Sequence, residues 1–177
     1  MNAIVAANAD WGIGLGGSQS IVIPGDRRRF RILTDGGIVI SGRKTFESLP
    51  APLHNRRKIV LTRDRTFTIY GVAVAHSIDD VFAEIADDDP DRVFVIGGGG
   101  IYGLLLPFCS HAYVTRINAA PPSDVFFPDL DSLPDWSLEQ REFRIWNPAP
   151  GIDEAMVSAL EYSFDLYKNN TMEDIYV

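Results

Sequence analysis

Basic side chains are concentrated in the first third of this 177-residue chain, although the whole chain carries a formal net charge of −8. Arginine and lysine bind small polyanions through charge-assisted hydrogen bonds, so one interpretation is a pocket for phosphates or carboxylates. The other is that these side chains are solvated on helix surfaces. The cluster consists of Arg27, Arg28, Arg29, Arg31, Arg43, Lys44, Arg56, Arg57, Lys58, Arg63 and Arg65.

Asp26 lies within this cationic region, at the start of a helix predicted over residues 24–34. Pro24 suits the first helical position because its missing N–H is not needed there. An acid in the first turn stabilises the helix dipole, and taken alone this is the simpler interpretation of Asp26. A carboxylate that lines a pocket is the alternative.

Glycines form two G-x-G-x-x-G patterns, at residues 12–17 and 98–103. Dinucleotide-binding sites need a helix directly after such a pattern and an acid about 20 residues further on. No helical pattern follows the first one before Pro24, which favours a flexible loop over a site. The second joins a strand to a helix, where backbone N–H groups could bind a pyrophosphate, and tight strand–helix packing is the alternative. The next strand ends without an acid, so an ordinary NAD-type Rossmann site is not expected.

Short β-branched runs alternate with helical patterns along the chain. The predicted strands are 4–8, 38–41, 58–61, 72–75, 93–96 and 112–118, and the predicted helices are 24–34, 44–48, 78–86 and 101–105. Two later segments, 137–143 and 159–167, are expected to form an antiparallel pair at the sheet edge. The pattern predicts an α/β three-layer sandwich with a mostly parallel sheet of about eight strands, an antiparallel C-terminal edge and four helices.

Length and composition predict one domain over residues 1–168, followed by a polar C-terminal tail over residues 169–177. No apolar stretch approaches the roughly 20 residues of a membrane helix, and the N-terminus lacks the features of a secretory signal. Cys109 is the only cysteine, so a reducing cytoplasm is expected. The acidic balance disfavours a nucleic-acid partner. We expect a monomer without a metal site.

Short motifs follow one another along the chain in a fixed order: Ile4-Val5-Ala6-Ala7, Gly12-Ile13-Gly14, Ile23-Pro24-Gly25-Asp26, Ser41-Gly42-Arg43-Lys44-Thr45-Phe46-Glu47-Ser48, Leu53-His54-Asn55-Arg56, Val95-Ile96-Gly97-Gly98-Gly99, Tyr113-Val114-Thr115 and Phe127-Pro128. This ordered set resembles the dihydrofolate reductase family. The similarity extends from Met1 to about Tyr167, and the ordered set is far more specific than any one motif.

The resemblance implies NADPH-dependent reduction of 7,8-dihydrofolate to 5,6,7,8-tetrahydrofolate. It implies catalytic roles for Asp26, which would hydrogen-bond the pterin, for Thr115 behind it, and for Tyr102 beside the nicotinamide. The implied substrate-binding residues are Val5, Ala6, Asp26, Arg27, Phe30, Leu49, Leu53, Arg56, Ile96 and Thr115. The implied NADPH-binding residues are Ala7, Ile13, Gly14, Leu15, Gly42, Arg43, Lys44, Thr45, Leu61, Thr62, Arg63, Ile96, Gly97, Gly98, Gly99, Gly100, Ile101 and Tyr102.

Four positions depart from the family pattern. Ser20 and Ile21 stand where the family usually carries Pro-Trp, Arg27 replaces a common apolar contact to substrate, and Gly100 replaces a frequent basic contact to cofactor. These changes bear on affinity and antifolate sensitivity more than on reaction type.

Two other functions remain open. A reductase of riboflavin-pathway aminopyrimidines would share the topology and the use of NADPH, but its ribosyl-phosphate substrate needs no aromatic slot like the one that Phe30 offers. A non-catalytic NADPH-binding relative would bind the cofactor without turnover.

Overall fold

The computed structural model describes residues 1–50, 52–147 and 159–175 as strands, helices and their connections. In chain order the elements are β1 (Asn2–Ala7), β2 (Gly12–Gly14), α1 (Pro24–Thr34), β3 (Ile38–Gly42), α2 (Arg43–Glu47), β4 (Arg57–Leu61), β5 (Ala73–Ala75), α3 (Ile78–Glu84), β6 (Val93–Gly97), α4 (Gly99–Leu105), β7 (His111–Ile117), β8 (Val125–Phe126), β9 (Trp136–Trp146) and β10 (Leu160–Asn169), with 3-10 segments at Pro90–Arg92, Leu106–Phe108 and Asn170–Ile175.

An eight-stranded sheet carries the fold, in the order β5-β4-β3-β6-β1-β7-β10-β9. The strands from β5 to β7 are parallel to their neighbours. β10 is antiparallel to β7, and β9 is antiparallel to β10. The predicted α/β fold, with a mostly parallel sheet, an antiparallel C-terminal edge and four helices, is confirmed.

The central strands are buried on both faces of the sheet. β1, β3 and β6 are buried along almost their whole length, as is usual for parallel strands covered by helices. Alternate residues of β1 point to opposite faces: Ala3 packs in one apolar cluster with Val81 of α3 and Leu105 of α4. On the other face, Ala6 packs against a smaller cluster of Ile21, Ile23, Ile117 and Tyr162.

Helices α1 and α3 begin where their sequence signals place them. Pro24 occupies the first turn of α1 together with Asp26. At α3, the Ser77 hydroxyl accepts from the Asp80 N–H at 3.1 Å and the Asp80 carboxylate accepts from the Ser77 N–H at 3.0 Å, which forms a capping box. α4 begins at Gly99, two residues before its predicted start, because glycine carries little helix signal. None of the described helices is long and apolar enough to span a membrane.

The first glycine motif forms ordered β structure where a loop was predicted. β2 pairs antiparallel with β8, and Leu15 bridges Ser18 across a two-residue turn. Gly16 and Gly17 both have positive φ, +59° and +84°, which is the backbone that a tight hairpin turn of this kind requires. The pairing escaped prediction because its strands are very short and about 110 residues apart in the chain.

The predicted polar tail begins later than expected. Asn169 is the last residue of β10 and is buried, and its side-chain amide donates to the Cys109 carbonyl at 3.1 Å. Asn170 donates its N–H to the Asp135 carbonyl at 2.8 Å. The polar side chain of Asn169 can therefore be buried at the end of the strand, because a backbone carbonyl accepts its hydrogen bond. Residues 51, 148–158, 176 and 177 lie outside the described residues, and the last two of these belong to the predicted tail.

Candidate functional site

A groove of about 1660 Å³ crosses the carboxyl ends of the parallel strands. Its walls come from the ends of β1, β3, β4 and β6, from the exposed side of α1, and from the first turns of α2 and α4. The carboxyl ends of strands in α/β sheets are the usual place for ligands, because the strands and helix starts there converge on one edge.

Most predicted site residues line this groove. The substrate-binding predictions among them are Val5, Ala6, Asp26, Arg27, Phe30, Leu49, Leu53, Arg56 and Ile96. The cofactor-binding predictions among them are Ile13, Gly14, Gly42, Arg43, Lys44, Thr45, Leu61, Thr62, Arg63, Gly97, Gly98, Gly99, Gly100, Ile101 and Tyr102. Three predicted residues are not in the wall. Thr115 is buried behind Asp26, Ala7 is fully buried at the end of β1, and Leu15 lies in the hairpin turn, 49% exposed.

Asp26 is the carboxylate of the inner groove. It sits in the first turn of α1, half-buried, and the Thr115 hydroxyl of β7 hydrogen-bonds with it. Burial raises the pKa of Asp26 above its ordinary value, while the Thr115 hydroxyl and the cations Arg29 and Arg27 act in the opposite direction. Burial is the largest of these effects, so this carboxyl holds a proton more readily than an exposed aspartate.

Phe30 follows Asp26 by one helical turn and lines the same groove. Residues four apart lie on one face of a helix, so the carboxyl and the ring are presented together. Arg27 and Arg31 also line the groove, and both are exposed at its rim.

Arg56 is held rigidly at the outer end of the groove. Its Nε donates to the Thr34 hydroxyl at 2.7 Å, Nη1 to the His54 carbonyl at 2.6 Å and Nη2 to the Arg31 carbonyl at 2.9 Å. A guanidinium has five N–H donors, so one N–H remains on each terminal nitrogen. That pair forms the fork that a carboxylate accepts.

The turn between β6 and α4 brings backbone into close contact with the groove. Gly97 has φ of +114°, and a Cβ there would lie 3.0 Å from the Tyr102 ring. Tyr102 is buried, and its hydroxyl donates to the Ile4 carbonyl at 2.7 Å. Burial raises the pKa of Tyr102 far above its ordinary value, so the phenol is neutral and its proton is engaged with backbone.

Cations and hydroxyls cluster at the opposite end of the groove. Arg43 pairs with Asp64 at 2.7 Å and with Glu47 at 3.7 Å, while Lys44 and Arg63 are exposed. The two pairs fix the Arg43 guanidinium at the start of α2, next to Thr45. This end of the groove is therefore suited to phosphate groups.

Several groove residues were missed from the sequence. Asp64 lies three residues after the end of β4, and His76 and Ser77 follow β5 directly. His76 Nδ1 lies 2.9 Å from the Thr62 carbonyl oxygen. Applying the strand-end rule to every parallel strand would have found them, because the ends of β4 and β5 meet the edge where β3 ends. The remaining missed residues are Ile4, Gly17, Ser18, Gln19, Val22, Arg31, Ser48, Pro50, Pro52, Ile78, Leu104 and Val125.

Residues 1–150 match the family model described as dihydrofolate reductase. The chain belongs to the dihydrofolate reductase family. This membership confirms the resemblance that the motifs indicated. It also confirms the predicted class of enzyme, an NADPH-dependent oxidoreductase.

Named dihydrofolate reductases resemble the chain in sequence and in structure. The dihydrofolate reductase of Staphylococcus aureus is 36% identical over 116 residues, 66% of this chain and 69% of that protein. Dihydrofolate reductase type 3 of Salmonella typhimurium is 39% identical over 118 residues, 67% of this chain and 72% of that protein. The solved structure of dihydrofolate reductase from Enterococcus faecalis, complexed with NADP(H) and RAB-propyl, superimposes with a TM-score of 0.79 at 29% identity, covering 96% of this chain and 95% of that one. The predicted cofactor, NADPH, is borne out.

The departures from the dihydrofolate reductase pattern have different surroundings. Ile21 is buried in the smaller apolar cluster with Ile23, so this position contributes to packing, while Ser20 is exposed. A Cβ on Gly100 would meet no atom within 4 Å, so the cofactor side of the groove is open there. Arg27 is exposed and lines the groove next to the half-buried Asp26.

Proposed function

We propose that this enzyme reduces 7,8-dihydrofolate to 5,6,7,8-tetrahydrofolate with NADPH, C6 of the pterin receiving hydride and N5 a proton. The observation that carries the proposal is the half-buried Asp26 carboxyl in the groove wall, with its pKa raised by burial. When bound, NADPH supplies the hydride. Everything else that the reaction needs is positioning and one proton.

Asp26 would bind the pterin ring. An ionised carboxylate accepts two parallel hydrogen bonds, which match the 2-amino group and the adjacent ring N–H of the substrate. The raised pKa suits the second task, because a carboxyl that binds a proton more readily than an ordinary aspartate can pass it toward N5, directly or through water. Thr115 would keep the carboxyl in this orientation from behind.

The rest of the substrate would follow the groove outward from Asp26. Phe30, Leu49 and Leu53 offer apolar surface for the aromatic middle of the molecule. The two free N–H groups of Arg56 would bind the α-carboxylate of its glutamate. Val5, Ala6 and Ile96 would form the inner wall against the pterin.

The residues at the other end of the groove fit NADPH by the chemistry of their donors. Lys44, Arg43, Thr45 and Arg63 present cations and a hydroxyl for phosphate oxygens, and the exposed Arg63 suits a 2′-phosphate. The β6–α4 glycines would let backbone approach the pyrophosphate. Tyr102 would pack beside the nicotinamide as a neutral ring, since its hydroxyl donates a hydrogen bond to the Ile4 carbonyl.

The test is the fall in absorbance near ~340 nm, where reduced nicotinamide absorbs, when the protein meets NADPH and dihydrofolate. We expect a decay that needs both substrates and that drops by about 10²-fold or more in Asp26→Asn. Asp79→Asn is the matched control, because Asp79 is also a first-turn acid but is exposed and outside the groove. Turnover retained in Asp26→Asn would refute the role of Asp26, and NADPH binding without turnover would refute the function.

A further inference from the structure

Arg29 is an arginine on the inner side of the helix that carries Asp26. It follows Asp26 by three residues in α1 and is half-buried. Its Nη1 donates to the Val114 carbonyl at 3.3 Å and its Nη2 to the Asp165 carbonyl at 3.5 Å. The guanidinium lies 4.5 Å from the centre of the Phe164 ring. Backbone carbonyls and an aromatic face therefore hold the cation. Burial lowers the pKa of Arg29, but a guanidinium stays protonated in proteins.

The other carboxylates near Arg29 already have arginine partners. The Asp165 carboxylate accepts a hydrogen bond from Nη2 of Arg141 at 2.7 Å, and Glu142 forms an ion pair with Arg144. Within residues 1–50, 52–147 and 159–175, no ion pair holds either Arg29 or Asp26. The field of Arg29 therefore acts on Asp26 without a competing partner, and partial burial weakens its screening by solvent.

Both groups are anchored to consecutive residues of β7. Asp26 bonds with the Thr115 hydroxyl, and Arg29 bonds with the Val114 carbonyl. The separation of the two charges is thus set by one strand and one helix rather than by a flexible side chain alone.

The remaining titratable groups around the pair are accounted for. Facing Asp26 are Arg27, which is exposed on the same helix, and the neutral Tyr102 of α4. Facing Arg29 from β7 is Tyr113, whose pKa is raised by burial, so that it too is neutral. Arg29 is the half-buried cation in this set.

We propose that Arg29 is a positioning residue whose charge favours the ionised form of Asp26 and so sets the pH range of proton delivery in the reductase. The proposal rests on the proposed function for its kinetic consequence, but the ionisation of Asp26 itself can be measured without substrate. Burial and Arg29 act on the pKa of Asp26 in opposite directions, and removal of the cation leaves burial opposed only by the Thr115 hydroxyl and the exposed Arg27.

The experiment compares the wild type with Arg29→Gln, Arg29→Lys and Arg28→Gln. A ¹³C NMR titration of aspartate-labelled, ligand-free protein follows the Asp26 carboxyl, assigned by its loss in Asp26→Asn. We expect the midpoint to rise by about 0.5–1 pH unit in Arg29→Gln, and to stay close to wild type in Arg29→Lys and in the exposed control Arg28→Gln. Single-turnover hydride transfer measured above the midpoint should then be roughly three- to tenfold faster in Arg29→Gln.

A midpoint in Arg29→Gln equal to that of the wild type would overturn the proposal. Arg29→Met, which keeps the apolar stem of the side chain, carries the same expectation if Arg29→Gln does not fold. Failure of the proposed function has a different signature: the wild type would not oxidise NADPH with dihydrofolate, whatever the titration shows.

Discussion

The Thr34 hydroxyl accepts a hydrogen bond from Nε of Arg56 at 2.7 Å while lying fully buried at the end of α1. The same hydroxyl donates to the Phe30 carbonyl at 2.7 Å. One buried side chain thus connects the cation at the outer end of the groove to the helical turn that presents the aromatic ring.

Thr34→Val should loosen Arg56 with little change in shape. Loss of one hydrogen bond to a charged group is worth about 1.5 kcal/mol, so we expect KM for dihydrofolate to rise roughly tenfold with kcat nearly unchanged. KM for dihydropteroate, which lacks the glutamate, should stay the same. Thr171→Val, at an exposed threonine outside the groove, is the control. An equal rise for both substrates would contradict this role of Thr34.

Asp26→Asn should make the ligand-free protein more stable at neutral pH. Burial raises the folded-state pKa of Asp26, so the ionised carboxylate is less favourable in the folded protein than in the unfolded chain. The wild type therefore loses stability as pH rises from the ordinary aspartate pKa through the raised one, and the variant does not. Urea unfolding at several pH values should show the two curves separating over that window. Curves that stay parallel would contradict the burial argument.

Arg141→Met should destabilise the C-terminal edge of the sheet. Asp165 is fully buried, and Arg141 binds its carboxylate through Nε at 3.0 Å and Nη2 at 2.7 Å. Removing the partner leaves a buried charge unpaired, which costs about 3–5 kcal/mol in unfolding free energy. Arg144→Met is the control, because its pair with Glu142 is exposed and should contribute less than about 1 kcal/mol. Similar losses of unfolding free energy in both variants would show that the Arg141–Asp165 pair contributes no more stability than the exposed pair.

Gly97→Ala should strain the turn between β6 and α4. With φ of +114° and the Tyr102 ring 3.0 Å from a new Cβ, the substitution should cost about 1–3 kcal/mol and weaken NADPH binding. Gly103→Ala adds a Cβ that meets nothing within 4 Å, inside α4, and should gain about 0.5–1 kcal/mol. Unfolding in urea and NADPH fluorescence titration measure both effects. A neutral Gly97→Ala would be inconsistent with the described backbone.

The sequence was most informative where a local pattern decides the structure. Helical spacing places Asp26 and Phe30 on one face, and the Ser77 capping box begins α3 where predicted. The role of Arg56 came from the resemblance, and its geometry is consistent with that expectation.

Long-range contacts could not be predicted in this way. Arg29 belongs to a run of arginines that the sequence alone does not distinguish from one another. Its packing against Phe164 in the structure is what distinguishes it from the exposed Arg28. The β2–β8 pairing likewise depends on two short segments that carry no alternation of apolar residues. Such features follow from which segments meet in three dimensions rather than from any window of residues.

The hairpin at Gly16–Gly17 bears on how ligands enter and leave the groove. The Asp124 carboxylate accepts from the Gly16 N–H at 2.9 Å, and the Asp124 N–H donates to the Gly14 carbonyl at 3.0 Å, so the near end of this segment is tied to the rest of the molecule. At its far end, Ile21 is buried in apolar surroundings. Moving the segment away from the molecule would expose Ile21 to water at a cost of about 1.5–3 kcal/mol, so an open form would make up roughly 10% of molecules or less. Release of ligands past this segment should therefore depend on Ile21, although Ile21 does not line the groove.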